Sequence, residues 1–336
     1  MKIVDLKNMK IKIFTILYIT FSLFFYCNAQ TTDSLINDNT GTYVINNYEN
    51  ALDGHRFISS SKIKSPFINT YLQTSLGAGT TSRLDIPIIE IDGEEYVTLT
   101  GDLAFTYLGF EYQHAVKDWI AFSLKLNVIG RLGTDAGAIL YQGVNLDIGY
   151  QLGWLLKLYK NDDMMLSSIL RISSNSFTFI DIGSFVQGII DSGKITPENK
   201  IVKSTPAAST GAGLSYAYAI NKMFGITAEA TINYGESAER FSEDEWAFGY
   251  GVLADADLNP DYSVPLGFGL SYFGSRRGKN TSSLFGNPHN ILFQINYTGK
   301  SDLDLGLVFN YQWYEDASID QTINFTNVYL DVKYYF

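Results

Sequence analysis

The sequence predicts an all-β fold, a transmembrane antiparallel β-barrel of about 12 strands, and three observations lead to this prediction. Apolar and polar residues alternate with a period of two over most of the chain, which is the pattern of strands with two unlike faces. Tight and long connections follow one another in turn between the alternating stretches. Tyr and Phe, with 23 and 22 residues, dominate the composition, and aromatic residues favour strands.

The first 29 residues predict an export signal that is removed near Ala29. Four lysines precede an apolar run over 13–26, and small residues follow it at the cleavage site. The apolar run is shorter than the ~20 residues that a membrane-spanning helix needs, so an anchor is the weaker interpretation. The ending Asn-Ala-Gln at 28–30 resembles signal peptides of Bacteroidota. Cys27 is the only cysteine of the chain and would leave with the signal.

Residues 30–66 are polar, rich in Asn, Ser and Thr, and show little periodicity. We expect a mobile periplasmic lead-in here, with a small plug as the alternative. Residues 67–336 then form the barrel. The division predicted from the sequence is therefore a signal peptide at 1–29, a lead-in at 30–66 and an outer-membrane barrel at 67–336.

The last strand shows the alternation most clearly. Val328, Leu330, Val332 and Tyr334 share one face with the terminal Phe336, and polar or charged residues share the other. A slip of one residue would turn Asp331 and Lys333 toward lipid, which costs about 2 to 4 kcal/mol for a Lys near the bilayer midplane. The register of this strand is therefore well specified.

The same pattern predicts twelve strands along the chain, with tight turns on the periplasmic side and longer loops on the extracellular side. Asp92-Gly93 between two apolar stretches predicts a hairpin that extends the first two strands beyond the membrane. The predicted strands are 67–80, 94–113, 119–131, 138–158, 164–173, 206–220, 224–234, 245–257, 264–274, 289–298, 303–314 and 326–336.

Aromatic residues complete the pattern. Trp119 and Trp154 fall at one rim of the predicted strands, and Trp246 and Trp313 at the other, as in the two aromatic girdles of a membrane barrel. With Phe336 at the end of an amphipathic strand, the chain resembles the Gram-negative outer-membrane β-barrel class. The resemblance implies an outer-membrane location, contact with membrane lipid and lipopolysaccharide, and recognition of the terminal Phe336 by the barrel-insertion machinery.

The inward faces carry charged residues of both signs among many small polar residues. A charge in a narrow lumen needs water or a partner, so two interpretations stand. Either the lumen is a hydrated pore, which makes the protein a passive channel or transporter for small solutes, or paired charges fill a non-conducting structural or surface-interaction barrel. The lumen-lining candidates are Glu111, Lys125, Arg131, Asp147, Lys157, Arg171, Glu229, Asp255, Asp304, Asp331 and Lys333.

Other classes of function find little support. A net charge of -11 and a pI near 4.7 argue against nucleic acid. Three His residues and one Cys predict no metal site, no cofactor and no catalytic centre, and the acidic loops match no calcium-loop spacing. A lipid hydrolase that uses Ser282 or Ser283 with His289 is the less favoured enzyme hypothesis.

The longest loop carries the one helical pattern of the chain. Ile182, Phe185, Val186, Ile189 and Ile190 lie at i, i+3, i+4, i+7 and i+8, which is a single stripe of a helix. We expect a short amphipathic helix in this extracellular loop. It would rest on the rim of the barrel or, alternatively, fold into the mouth and narrow the pore.

Overall fold

A closed antiparallel barrel of twelve strands forms the body of the chain. The computed structural model describes residues 50–81, 84–91, 94–101, 103–133, 144–180, 202–236, 245–277, 287–316 and 321–336. Four further strands lie outside the barrel as two hairpins: β1 with β2, and β4 with β5. In chain order the strands are β1 (Ala51–Leu52), β2 (His55–Arg56), β3 (Tyr71–Thr81), β4 (Leu84–Ile91), β5 (Glu94–Gly101), β6 (Leu103–Lys117), β7 (Ile120–Gly133), β8 (Val144–Lys160), β9 (Met164–Ile180), β10 (Val202–Ala219), β11 (Phe224–Gly235), β12 (Glu245–Asp257), β13 (Leu266–Arg277), β14 (His289–Tyr297), β15 (Leu303–Asp316) and β16 (Gln321–Tyr335).

The first and last strands of the barrel close it. β3 pairs with β16 from Tyr71↔Tyr335 to Thr81↔Phe325, and each other barrel strand pairs with its neighbours in the same antiparallel sense. The predicted fold class and strand number are therefore confirmed. Local alternation is enough to predict both, because a strand with one face toward lipid and the other toward the lumen needs a period of two.

The first extracellular connection differs from the predicted strand 94–113. β5 pairs with β4 as a separate two-stranded sheet, whereas β6 pairs with β3 and β7 in the barrel. The chain therefore changes partner between Gly101 and Leu103. The hairpin predicted around Asp92-Gly93 therefore consists of β4 and β5, outside the barrel. Their pairing shifts register near Pro87, because proline has no backbone N–H to donate to the ladder.

The outward faces of the barrel strands are apolar. Leu76, Leu108 and Leu307 expose 49%, 47% and 40% of their surface, whereas the neighbouring inward Ser75 and Val308 are buried. A soluble protein seldom exposes apolar side chains so continuously, but lipid is a good solvent for them. No helix within the described ranges is long and apolar enough to cross a membrane.

One short helix, α1 (Asn259–Tyr262), forms the turn between β12 and β13. Pro260 stands in its first turn, and Ser263 ends it in the left-handed region at φ 54°, with its N–H donating to the Asn259 carbonyl at 3.0 Å. This helix lies at a tight turn. The amphipathic helix expected over 182–190 lies outside the described residues.

Residues 50–69 depart most from the sequence expectation. Their side chains and backbone hydrogen-bond to inward-facing residues of ten barrel strands, so this segment is a plug in the lumen. The periplasmic lead-in predicted for 30–66 is therefore wrong over 50–66, where the alternative, a plug, is present. Polar residues fit both places because the lumen, like the periplasm, offers hydrogen-bond partners. Residues 30–49 lie outside the described part of the chain.

Candidate functional site

The plug begins with a hairpin at the level of the tight turns. β1 and β2 pair through Leu52↔His55, and the turn uses Asp53 and Gly54 at φ 44° and 77°. Beyond the hairpin, the Phe57 N–H donates to the Asn50 carbonyl at 3.1 Å. The left-handed turn residues explain why Asp-Gly stands here, since these residue types tolerate positive φ.

Two buried polar anchors tie this hairpin to the wall, one at β12 and the other at β15. His55 Nε2 lies 3.1 Å from Asp255 Oδ2, and the Ile58 N–H donates to the same oxygen at 2.8 Å. Arg56 donates to the Asp304 carboxylate and, at 2.9 Å, to the Thr298 carbonyl. These side chains are almost fully buried, so their polar groups rely on one another rather than on water.

Glycines in the wall make room for the hairpin. A Cβ on Gly225 of β11 would lie 2.4 Å from His55 Nε2, and a Cβ on Gly267 of β13 would lie 2.4 Å from Ile58 Cδ1. Both distances are below any ordinary contact. The absence of a side chain at Gly225 and Gly267 therefore lets the plug approach the backbone of the wall.

An apolar cluster holds the plug against a third sector. Leu52, Phe57 and Phe67 pack with the inward Met165 and with two alanines of β10, and all of them are buried. The rings of Phe57 and Phe67 lie 5.3 Å apart. Burying a Phe side chain contributes about 1.5 to 3 kcal/mol relative to exposure. Apolar contacts thus add to the polar anchors.

The plug rises to the middle of the lumen and turns there at residues 61–64. Lys64 Nζ lies 2.6 Å from Glu111 Oε1, and the Lys64 N–H donates to Glu229 Oε2 at 2.6 Å. Lys125 Nζ donates to the Ser61 carbonyl at 2.9 Å. The apex is therefore held by the charged residues of three strands, β6, β7 and β11.

From the apex the plug returns to the first barrel strand. Ser167 Oγ donates to the Pro66 carbonyl at 2.6 Å, and Gln113 Nε2 donates to the carbonyls of Phe67 and Asn69 at 3.1 and 2.9 Å. The contacted residues lie toward the tight-turn ends of their strands. Because tight turns are periplasmic in barrels of this kind, the plug fills the periplasmic half of the lumen.

Above the apex one wall of the lumen is polar. Arg171 reaches across Gly211 of β10 to donate to Asn233 Oδ1 at 2.9 Å and to Thr231 Oγ1 at 3.0 Å, and its Nη1 lies 3.6 Å from Glu229. Arg171 is partly exposed, and the inward Asn175 is exposed. These side chains therefore face open space in the extracellular half.

The opposite wall is aromatic. The rings of Tyr107 and Tyr329 lie 6.1 Å apart across Gly77 of β3, and those of Phe105 and Phe325 lie 6.0 Å apart across the region of Gly79. A Cβ on Gly77 would lie 2.4 Å from the Tyr329 Cβ. Glycine on β3 therefore allows rings from β6 and β16 to meet over it.

Eight of the sequence-predicted lumen residues lie inside the barrel. Glu111, Lys125, Glu229, Asp255 and Asp304 contact the plug directly, and Arg171 reaches it through Glu229. Lys333 lies 3.7 Å above the ring of Tyr71, and Asp331 is buried beside this group.

The other predicted residues are placed differently. Lys157 lies at the periplasmic rim, where its Nζ is 3.7 Å from the exposed Asp118, because β8 has reached its tight-turn end there. The backbones of Arg131 and Asp147 lie in β7 and β8, and their side chains are outside the described part. Phe336 is 65% exposed, and its N–H donates to the Thr70 carbonyl at 3.1 Å.

Sequence reasoning missed the residues of the plug that hold these charges. His55, Arg56 and Lys64 stand in a polar stretch without periodicity, so no local pattern marks them. One signal was available, because Phe57, Ile63 and Phe67 are spaced through this stretch. Large apolar residues are uncommon in a segment that stays in water, and all three are buried in the structure. Within the described residues, no group of three His, Cys, Asp or Glu side chains could hold a metal ion.

Comparison with known proteins finds solved β-barrel structures that are similar to this chain. No protein-family model matches the chain, and no curated protein matches it. Among solved structures, an outer-membrane channel of Pseudomonas putida F1 is 7% identical, covering 83% of this chain and 100% of that one at a TM-score of 0.49. A FadL homologue of Pseudomonas aeruginosa is 9% identical, covering 84% and 97% at a TM-score of 0.44. The β domain of the Bordetella autotransporter BrkA is 10% identical, covering 80% and 100% at 0.46.

Location follows from the barrel itself. A closed barrel leaves no sheet edge, its exterior carries an apolar band, and Glu111, Asp304 and Lys333 are turned inward. The chain is an outer-membrane β-barrel. The function of the barrel then depends on what its lumen contains.

Proposed function

We propose that the protein is an outer-membrane channel or transporter for small solutes, closed at its periplasmic half by the plug. The observation that supports this best is the division of the lumen. The extracellular half is lined by partly exposed polar residues and by glycines, whereas the periplasmic half is filled by residues 50–69. A solute would enter from outside and pass when the plug moves.

The charges around the plug apex favour anionic solutes. Around this level, among the side chains that the structure describes, six cations accompany four anions: the cations are Arg56, Lys62, Lys64, Lys125, Arg171 and Lys333, and the anions are Glu111, Glu229, Asp304 and Asp331. Lys62 is exposed toward the open half, 5.8 Å from the centre of the Tyr107 ring. The chain as a whole is acidic, so this positive belt is a local feature that attracts anions.

A non-conducting barrel is the second candidate. It is supported by the density of plug contacts, since ion pairs and apolar packing hold residues 50–69 against several sectors of the wall. If the plug never leaves, the chain is a structural or surface-interaction barrel. The two candidates differ in one property, which is whether the plug moves.

We propose no catalytic role. His289 faces outward and shares a 2.6 Å hydrogen bond with Tyr272, while the exposed His114 stacks on Tyr112 at the tight-turn end of β6. His55 is buried in the plug against Asp255. No two of these imidazoles share a site, and Ser282 and Ser283 of the lipid-hydrolase hypothesis lie outside the described residues.

Locking the plug to the wall tests the transport proposal. Gln294 Nε2 donates to the Ser59 carbonyl at 3.0 Å, so these two positions are neighbours. The pair Ser59→Cys and Gln294→Cys introduces two thiols into a mature chain that otherwise has none once the signal is removed. A short bis-maleimide reagent would then join plug and wall in the folded barrel.

The readout is solute entry into liposomes together with single-channel conductance, before and after cross-linking. We expect the cross-linked protein to lose entry of small anions such as acetate, and the two single-cysteine variants to keep it after the same treatment. Unchanged entry after complete cross-linking would show that plug movement is not required. No entry in the untreated protein would favour the non-conducting barrel.

A further inference from the structure

A row of aromatic rings runs along the outside of the barrel near the extracellular ends of β12 to β15. The ring centroids of Tyr250 and Tyr272 lie 6.1 Å apart, those of Tyr272 and His289 6.1 Å, and those of His289 and Trp313 5.4 Å. Phe248 extends the row beyond Tyr250 at 5.9 Å. These positions share the outward face, so the row lies at the level of the extracellular aromatic girdle.

The row borders a notch in the outer wall. Pairing of β13 with β14 ends at Gly274↔His289, while β13 stays paired with β12 as far as Arg277. Beside this end of the pairing lies a cavity of about 480 Å³ lined by Phe248, Tyr250, Arg276, Asn287 and His289. Gly274 contributes to its shape, because a Cβ there would lie 2.9 Å from the ring of Tyr250.

Arg276 gives the notch a charge. The side chain stands on the outward face of β13 and is exposed, and it has neither a hydrogen bond nor an ion pair with any other residue that the structure describes. A cation at a membrane interface, on an acidic protein, is stabilised by an anionic headgroup. Its planar guanidinium suits a phosphate, to which it can donate two parallel hydrogen bonds.

We propose that this notch binds the phosphorylated sugar headgroup of lipopolysaccharide. The guanidinium of Arg276 contacts the phosphate, while the rings of Phe248, Tyr250 and His289 lie against the sugar and the upper acyl chains. The level of the notch selects this occupant. The strand ends opposite the tight turns face the outer leaflet, where lipopolysaccharide is the anionic lipid.

Binding of defined lipids to the purified, folded barrel in detergent tests this proposal. The probes are diphosphoryl lipid A and the same lipid without its phosphates, with binding followed by native mass spectrometry. The Arg276→Gln variant removes the charge and keeps much of the side chain. The Lys117→Gln variant is the matched control, since Lys117 is an exposed cation at the periplasmic end of β6.

We expect Arg276→Gln to weaken binding of diphosphoryl lipid A by at least about tenfold, and Lys117→Gln to leave it unchanged. The lipid without phosphates should bind the unaltered protein about as weakly as diphosphoryl lipid A binds the Arg276→Gln variant. Equal losses in the two variants would overturn the site, since net charge alone would explain them. Full competition by millimolar inorganic phosphate would also overturn it, because the site would then take free phosphate.

Discussion

His55 Nε2 lies 3.1 Å from Asp255 Oδ2, and both side chains are completely buried. The two residues are 200 positions apart in the chain, and one belongs to the plug while the other belongs to β12. The same carboxylate oxygen accepts the Ile58 N–H. Asp255 is thus a single wall residue that holds two groups of the plug.

Replacing Asp255 should loosen the plug without opening the barrel. The Asp255→Ala variant leaves two buried polar groups without their acceptor, at a cost of about 1 to 3 kcal/mol each. A cost of about 2 kcal/mol raises the population of the displaced plug by up to about 30-fold. Trypsin should then cleave after Arg56, Lys62 or Lys64 faster than in the unaltered protein, which N-terminal sequencing of the fragments would show.

The matched control for this variant is Asp118→Ala, which removes an exposed carboxylate at a tight turn. It should leave the trypsin pattern unchanged. Equal cleavage rates in the Asp255→Ala variant and the unaltered protein, with both barrels folded on a heat-modifiability gel, would mean that Asp255 does not anchor the plug.

Gly77 should be intolerant of even a methyl group. A Cβ there would lie 2.4 Å from the Tyr329 Cβ and 2.7 Å from the Val328 carbonyl, so Gly77→Ala forces β3 and β16 apart at the closing pair. We expect a loss of about 1 to 3 kcal/mol in the free energy of unfolding, measured by urea titration in detergent. Gly130→Ala is the control, since its Cβ would meet only Thr106 Oγ1, at 3.0 Å.

The loss in free energy of unfolding caused by a charge on the lipid face should increase with the depth of that charge in the membrane. Leu307→Arg places a cation on the outward face of β15 and should reduce the free energy of unfolding by about 2 to 4 kcal/mol if the position is near the midplane. Val264→Arg makes a similar change at a periplasmic turn, where the cost should be about 0 to 1 kcal/mol. Equal losses in folded yield and stability would contradict the assigned depth of β15.

Lys125 and Arg171 should set the charge preference of the lumen. In the pore-forming state, the double variant Lys125→Gln and Arg171→Gln removes two of the cations near the plug apex and should shift the reversal potential in a KCl gradient toward that of a cation-selective pore. The control is Lys117→Gln, which changes the charge at the rim. A reversal potential that stays constant would contradict the proposed anion preference.

Phe336 should matter for assembly more than for the finished fold. Its ring is exposed and makes an edge contact with Tyr334 at 5.1 Å, so its loss removes little buried surface. If the terminal residue is recognised by the insertion machinery, deletion of Phe336 or Phe336→Ser should lower the outer-membrane level severalfold while purified protein keeps its thermal stability. An unchanged level of folded protein would remove Phe336 from that role.

The strands were predictable because their signal is local. Alternation in the segment around Leu307 and Val308 is enough to place one residue toward lipid and the next inside, and the structure does so with exposures of 40% and 2%. The inward position of Glu111 and Asp304 follows from the same parity. No knowledge of distant residues is needed for either inference.

The contacts of the plug were not predictable, because its partners are distant in the sequence. Arg56 finds Asp304 at a separation of 248 residues, and Lys64 finds Glu229 at 165. A polar stretch that docks in a lumen has the same composition as one that remains in water. The partners of the inward charges therefore could not be named from the sequence, although the charges themselves could.

The plug also bears on the kinetics of folding, because it contacts the seam where β3 pairs with β16. Closure joins residues from the two ends of the barrel, and contacts of such large sequence separation form slowly. Until then both strand edges are unpaired and open to aggregation. Residues 50–69 run directly into β3, and Asn50 Nδ2 donates to Tyr335 Oη at 3.3 Å. The segment that obstructs the finished lumen thus also links the first strand to the last, and it shortens the conformational search that ends with closure.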